Sequence, residues 1–224
     1  MSRTATQGTI ERNMNPKEVD QALAMRLTSL NINQVLGSSR GVAADYGRLA
    51  VLYGARGDLD SAESMLMQAV EIERTLGRKD GKLLAPILGK LAAVYLRSGH
   101  PQQAEPILEK ANKLYDDLGI ATGRADTLGH LGIVYTMRDK PGQAEITLMA
   151  ALKINLALNR RTHQADNYAN LANLYWSQGH LPEARACYQE AHSLFAQTGQ
   201  PRKVQRVALL LNGLRTHSAD ASIQ

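Results

Sequence analysis

Four side chains with hydrogen-bonding heads recur at one register of this 224-residue chain: Arg48, Lys90, His130 and Asn170, each immediately before a leucine. Donors of this kind, aligned on one face, suit the holding of a carboxylate or carbonyl rather than the making of bonds. Arg97, Met137, Asn173 and Trp176 are expected on the same face, with Asp126 and Asp166 pointing inward beside them. Trp176 is the one Trp of the chain, and an aromatic side chain in that setting is a frequent anchor for a bound partner. No reaction centre accompanies these residues. The sequence contains no HExxH, CxxC or GxSxG. The stretch GRKDGK at 77–82 is one residue short of a phosphate loop, and no Ser or Thr follows its Lys. The six histidines are scattered; His100 and His180 take the same turn position, and His130 reads as a surface residue. Asp116 and Asp117 stand at a helix end facing solvent. The expectation is a protein that is not an enzyme and uses no cofactor or metal.

The elements that position these residues are written in an internal repeat. Leu-small-x-x-Tyr occurs at Leu49–Tyr53, Leu91–Tyr95, Leu131–Tyr135 and Leu171–Tyr175, with the tyrosines 42, 40 and 40 residues apart. Four residues past each Tyr stands a turn former: Gly57, Gly99, Asp139 or Gly179. Alanines follow at Ala62, Ala104, Ala144 and Ala184, and again at Ala69, Ala111, Ala151 and Ala191. Fifteen residues past the first Ala come Gly77, Gly119, Asn159 and Gly199, which tolerate the left-handed geometry of a helix C-cap. Each unit therefore reads as helix A, tight turn, helix B, cap. Ala62, Leu66, Ala69 and Leu76 are expected on one buried face of the first B helix. The alanines carry a physical requirement, because a methyl group is all that fits where paired helices approach closely. Thr122 and Thr162 are expected to cap later A helices, with Pro201 opening the last helix. Cap and motif Leu are 12 residues apart, but 14 from Gly77 to Leu91. The extra two residues fall in Arg78-Lys79-Asp80-Gly81, a loop where insertion is cheap.

This pattern resembles the tetratricopeptide repeat, in the 40–42-residue form of kinesin light chains and several bacterial signalling proteins. Asn167–Tyr175 is especially similar to kinesin light chain repeats, and the resemblance covers residues 40–200 in four units. It departs at Asp139, where Gly is usual, and in lacking the Pro that closes many repeats. The resemblance implies an all-α, right-handed α-α superhelix of four full helical hairpins plus a half-repeat at each end, with helix A on the concave side. It also implies a protein–protein interaction scaffold or adaptor that binds a peptide or helix of a partner in that groove. Basic and Asn side chains near the register of Arg48, Lys90 and Asn170 clamp a peptide carboxylate in some members, though the full clamp is not reproduced. A regulatory sensor responding to a small peptide signal, or a fragment of a larger regulator, are the alternatives.

Two residues before the motif Leu stand Gly47, Gly89, Gly129 and Ala169. Glycine inside a helix costs roughly 1 kcal/mol relative to Ala, so its recurrence requires a reason. Close packing of neighbouring A helices and a smooth floor for a partner are both open. Two residues past the Leu are Val51, Ala93, Ile133 and Asn173; five past are Gly54, Leu96, Thr136 and Trp176. The expected groove is apolar in its first half and more polar in its second.

The boundaries follow the same register. Residues 1–15 read as disordered or a degenerate helix, and 16–216 as the solenoid. Within it lie a half-repeat at 17–37, repeats at 40–77, 80–119, 122–159 and 162–199, and a capping helix at 201–215 striped by Val204, Val207, Leu211 and Leu214. Residues 217–224 read as a disordered tail. In the half-repeat Arg26 stands where Leu66 and Leu108 do, so that helix should pack less well; its exposed face is a candidate for homo-oligomer contacts. The net charge of +5 is spread along the chain, with Arg202, Lys203 and Arg206 the nearest thing to a block, which argues against a nucleic-acid partner. Cys187 has no second cysteine to pair with, which fits a reducing compartment, the cytoplasm. No stretch approaches 18 unbroken apolar residues, and the first residues lack a signal-peptide core, so no membrane insertion is expected.

Overall fold

Helix-breaking residues at fixed intervals cut this chain into short helices. The computed structural model describes residues 15–76 and 81–220. Gly77 and most of the expected 78–81 loop lie outside them, as does the proposed N-terminal segment up to residue 14. Among the described residues the elements are ten helices: α1 Pro16–Val35, α2 Ser39–Arg56, α3 Leu59–Thr75, α4 Leu84–Arg97, α5 Pro101–Asp117, α6 Ala121–Met137, α7 Pro141–Ala157, α8 Arg161–Ser177, α9 Leu181–Gln197 and α10 Pro201–Asp220. The class is all-α. Helix α10 runs on through residues 217–220, which the sequence placed in a tail.

The chain forms two compact units, Met1–Leu118 and Gly119–Gln224. In the first, α1 packs on α2, and α2/α3 and α4/α5 are stacked hairpins. In the second, α6/α7 and α8/α9 are hairpins and α10 packs on α9. Helices α2, α4, α6, α8 and α10 hold the A position, and α3, α5, α7 and α9 the B position.

Each hairpin turns on one left-handed residue. Gly57, Gly99 and Gly179 have φ of +86°, +77° and +78°, and Asp139 adopts +53° in the same place. An aspartate tolerates that region better than most side chains, so the departure from Gly leaves the turn intact. The amide after the turn donates to the carbonyl of the motif tyrosine every time: Asp58 to Tyr53, His100 to Tyr95, Lys140 to Tyr135 and His180 to Tyr175, at 2.8–3.0 Å. These bonds satisfy carbonyls that the ending helix leaves open. Asn15, Ser38 and Asp58 cap the first three helices through their side chains. Thr122 and Thr162 do not cap: α6 and α8 begin at Ala121 and Arg161, one residue earlier. In α8 the helix restarts two residues after left-handed Asn159, so the turn sets its first residue and leaves Thr162 inside the first turn.

The eight B-helix alanines are all 0% exposed. Leu66, Leu108, Leu148 and Tyr188 are buried on the same faces. Leu76 breaks from the expected face and is 42% exposed, because it sits beyond the end of α3 as its C-cap. In the half-repeat Ala22, Arg26 and Ser29 are only half-buried, and Val19, Leu23 and Leu30 form its core instead. Successive hairpins are also tied by side chains: Tyr95 Oη donates to Glu63 at 2.8 Å and Tyr175 Oη to Glu145 at 2.6 Å.

Candidate partner-binding faces of the A helices

In the first unit the glycine row exposes backbone. Lys90 Nζ of α4 donates to the carbonyl of Gly47 in α2 at 3.2 Å, and Arg97 Nη2 donates to the carbonyl of Gly54 at 2.9 Å. Both cations reach back 43 residues to the preceding A helix, and they are seven apart, as are the two glycines. A helical carbonyl keeps a second lone pair, which a cation can use only where no side chain covers it. A Cβ on Gly54 would stand 3.2 Å from Arg97 Nη1, and one on Gly47 3.8 Å from Lys90 Nζ. Gly54 lies in the last turn of α2, where the helix dipole also favours a cation. Along the glycine row the surroundings differ: a Cβ on Gly129 would stand 3.3 Å from Asn167 Nδ2, while Gly89 has nothing within 4 Å of its missing Cβ.

Arg48, the next residue after Gly47, is exposed and is anchored by Asp45, 3.4 Å away. Asp45 is 1% exposed and also accepts from Ser29 Oγ at 2.8 Å and Asn33 Nδ2 at 2.7 Å. This anchor was missed in the sequence; its signal is an acid within the apolar stretch of α2, twelve residues after Asn33. The same spacing recurs as Asn155 and Asn167, which are bonded at 2.7 Å. Arg48, Lys90 and Arg97 all remain exposed.

In the second unit the A helices are joined through side chains. Arg160, just before α8, meets Asp126 of α6 at 2.9 Å, and His163 Nε2 lies 3.8 Å from the same carboxylate. Lys203 of α10 meets Asp166 of α8 at 2.5 Å. The two acids expected to point inward are thus engaged by the next A helix. Burial holds the His163 imidazole below its usual range, against the opposing pull of Asp126. His130 and Asn170 are half-buried, and Met137 at the end of α6 is 48% exposed.

Asn173 is exposed on α8, and its Oδ1 accepts the hydroxyl of Tyr188 from α9. Tyr188 is 0% exposed, and burial pushes its phenol up to about 12. Trp176 is half-buried and meets Tyr188 edge-on, ring centres 6.3 Å apart at 84°. Its indole also backs onto α10, where a Cβ on Gly213 would stand 3.6 Å from Cη2. The expected site residues thus fall into two sets: Arg48, Lys90 and Arg97 in the first unit, and His130, Met137, Asn170, Asn173 and Trp176 in the second. Among the described residues no group of three or more His, Cys, Asp or Glu is placed to hold a metal ion, and no helix is long and apolar enough to cross a membrane.

A model of the tetratricopeptide repeat matches residues 47–117 and 123–197. No curated protein matches the chain. Among solved structures, BtubC (BKLC) from P. vanneervenii is similar at 21% identity and a TM-score of 0.66, covering 90% of this chain and 92% of that one. A Podosopora anserina kinesin light chain with nearly identical TPR-like repeats is similar at 21% identity and a TM-score of 0.66, covering 88% and 96%. A Rap protein complexed with Competence and Sporulation Factor is similar at 13% identity and a TM-score of 0.63, covering 91% and 60%. At these identities the likeness is one of fold.

Proposed function

Since the chain belongs to the tetratricopeptide repeat family, we propose that it is a protein-interaction scaffold or adaptor that holds a peptide or helix of a partner on the outward faces of its A helices. The observation that carries this reading is the row of exposed cations on α2 and α4. Lys90 stands over Gly47 and Arg97 over Gly54, and the acid beside Arg48, Asp45, is buried and already engaged. A row of exposed cations suits an acidic segment or a C-terminal carboxylate. The reading includes no catalysis, cofactor or metal, and places the protein in the cytoplasm.

Titrating a labelled dodecapeptide rich in Asp and Glu, with a free C-terminus, tests the reading directly. Saturable binding that weakens in Lys90→Ala supports it. No binding at any salt concentration removes the first unit as an acidic-peptide site. For a partner captured from the native cell, Lys90→Ala and Trp176→Ala should each lower affinity. If neither does, the partner binds elsewhere.

Self-association through α1 belongs to the same reading. Met25 and Ile32 occupy the register of Met65 and Ile72, which pack onto the α1/α2 core, yet both are exposed together with Leu36. Light scattering on the protein and on Ile32→Lys separates a monomer from a dimer joined there. The sensor alternative finds a fold likeness in the Rap protein complex, but no residue of this chain favours it over the scaffold.

A further inference from the structure

One register of the B helices holds Leu66, Leu108, Leu148 and Tyr188, and one register of the A helices holds Val51, Ala93, Ile133 and Asn173. Three repeats thus carry leucine at the first register and a small or aliphatic residue at the second. The fourth changes both at once. A phenol comes up from the sealed core of α9, and its hydroxyl takes the Oδ1 of an amide standing exposed on α8. With Oδ1 held, the free end of the carboxamide is Nδ2, a donor with two N–H groups and no described partner. Asn170 stands one turn earlier, and Trp176 one turn later against the same Tyr188 ring. The acids of these A helices, Asp126 and Asp166, are engaged by Arg160 and Lys203. The donors that α8 itself offers here are amides, while the cation nearest the Tyr188 phenol is Arg206 of α10.

We propose that Tyr188 is a positioning residue that fixes Asn173 with its Nδ2 outward, to donate to a backbone carbonyl of an extended peptide whose apolar side chain lies against Trp176. This rests on the reading that the A-helix faces hold a peptide, and it names the chemistry of the second unit's share of that face. Neutral donors match main-chain carbonyls, which every peptide carries, while the indole selects for an apolar side chain. A buried phenol needs an acceptor for its own sake, so Asn173 could serve Tyr188 alone. The other three hairpins show that leucine fills this register without any such need, and replacing Tyr188 by Leu separates the two roles.

The probe is a dodecapeptide selected from a random display library on the full chain, then synthesised with acetylated N-terminus and amidated C-terminus. Blocked ends remove the terminal carboxylate as a ligand. Binding is followed by calorimetry and by the fluorescence of Trp176, the one Trp of the chain. Asn173→Asp, which keeps the acceptor for Tyr188 but removes the donor, and Tyr188→Leu should each weaken binding about tenfold, the equivalent of one hydrogen bond. Tyr188→Leu should melt close to wild type; if it does not, Tyr188→Phe, which keeps the ring against Trp176, replaces it. Wild-type affinity in both variants, or binding that leaves the Trp176 emission unmoved, overturns the proposal. Failure of the wild-type chain to select any peptide instead overturns the reading on which it rests.

Discussion

Gly132 of α6 and Leu148 of α7 approach so closely that a methyl group on the glycine would stand 2.4 Å from the Leu148 Cγ. Ala50, Ala92 and Ala172 hold this register in the other hairpins and are buried there. Gly132→Ala therefore sets two effects against each other. Better helix propensity favours the alanine by about 1 kcal/mol. Overpacking opposes it by about 1–3 kcal/mol, because Leu148 is itself sealed in the core and cannot swing away. The clash wins, and Gly132→Ala should lower stability in urea by about 1 kcal/mol. A gain in stability would mean that the α6/α7 hairpin opens at no cost.

The tyrosines of the repeat motif make the fold sensitive to alkali. Tyr95 is pushed up to about 12 by burial and by its bond to Glu63, and Tyr175 to about 12 by its bond to Glu145 and by burial. In the unfolded chain a tyrosine titrates near 10. A raised folded value means that the stabilisation is complete below pH 10 and is lost as pH rises from 10 through 12. Melting temperature should fall over that window. In the double variant Tyr95→Phe/Tyr175→Phe the fall should be shallower, with phenolate absorbance reporting fewer late-titrating groups. An equal fall in the variant would place the alkaline sensitivity elsewhere.

The hairpin register was legible because it is carried by residue types with few substitutes. A left-handed turn admits Gly, Asp or Asn, and a close helix contact admits Ala, so Gly57, Asp139, Ala62 and Ala144 announce their roles. Helix starts were less legible: Thr122 and Thr162 have capping side chains, but the turns before them had already fixed where α6 and α8 begin. The candidate faces were legible as a row of donors but not as a set of bonds. Nothing in the sequence says that Lys90 and Arg97 reach the backbone of Gly47 and Gly54, since a carbonyl has no letter of its own. The Tyr188–Asn173 pair could have been found, because Tyr188 breaks a column of leucines.

The cation row predicts a salt-dependent phenotype. Lys90→Ala and Arg97→Ala should each weaken an acidic dodecapeptide by about tenfold at low salt, with the loss shrinking as ionic strength rises. Arg97→Ala should also cost about 0.5–1.5 kcal/mol of stability by releasing the Gly54 carbonyl, an amount typical of one hydrogen bond. Anisotropy at two salt concentrations, with a melt of each variant, checks both. Affinity lost equally at low and high salt would show that the variants act by loosening α4 rather than by removing charge.

Arg160 and Lys203 look alike as cations that tie one A helix to the next, yet their removal should differ severalfold. Lys203 meets Asp166 where both side chains are about two-fifths exposed, and an exposed pair is worth about 0–1 kcal/mol. Arg160 is more enclosed, and besides Asp126 it donates to the Asn155 Oδ1 at 2.9 Å and to the Thr122 carbonyl at 3.2 Å. Asn155 is buried and passes the connection on through Nδ2 to Asn167, while its carbonyl accepts from Gln164. Arg160→Ala therefore strands a buried amide oxygen, at about 1–3 kcal/mol, and Lys203→Ala strands nothing buried. Repeat hairpins open locally, so the measurement is amide exchange across α7 and α8 rather than a single melting temperature. Protection there should drop in Arg160→Ala and stay near wild type in Lys203→Ala; equal protection in the two variants would mean that the Asn155 network contributes no more than a surface ion pair.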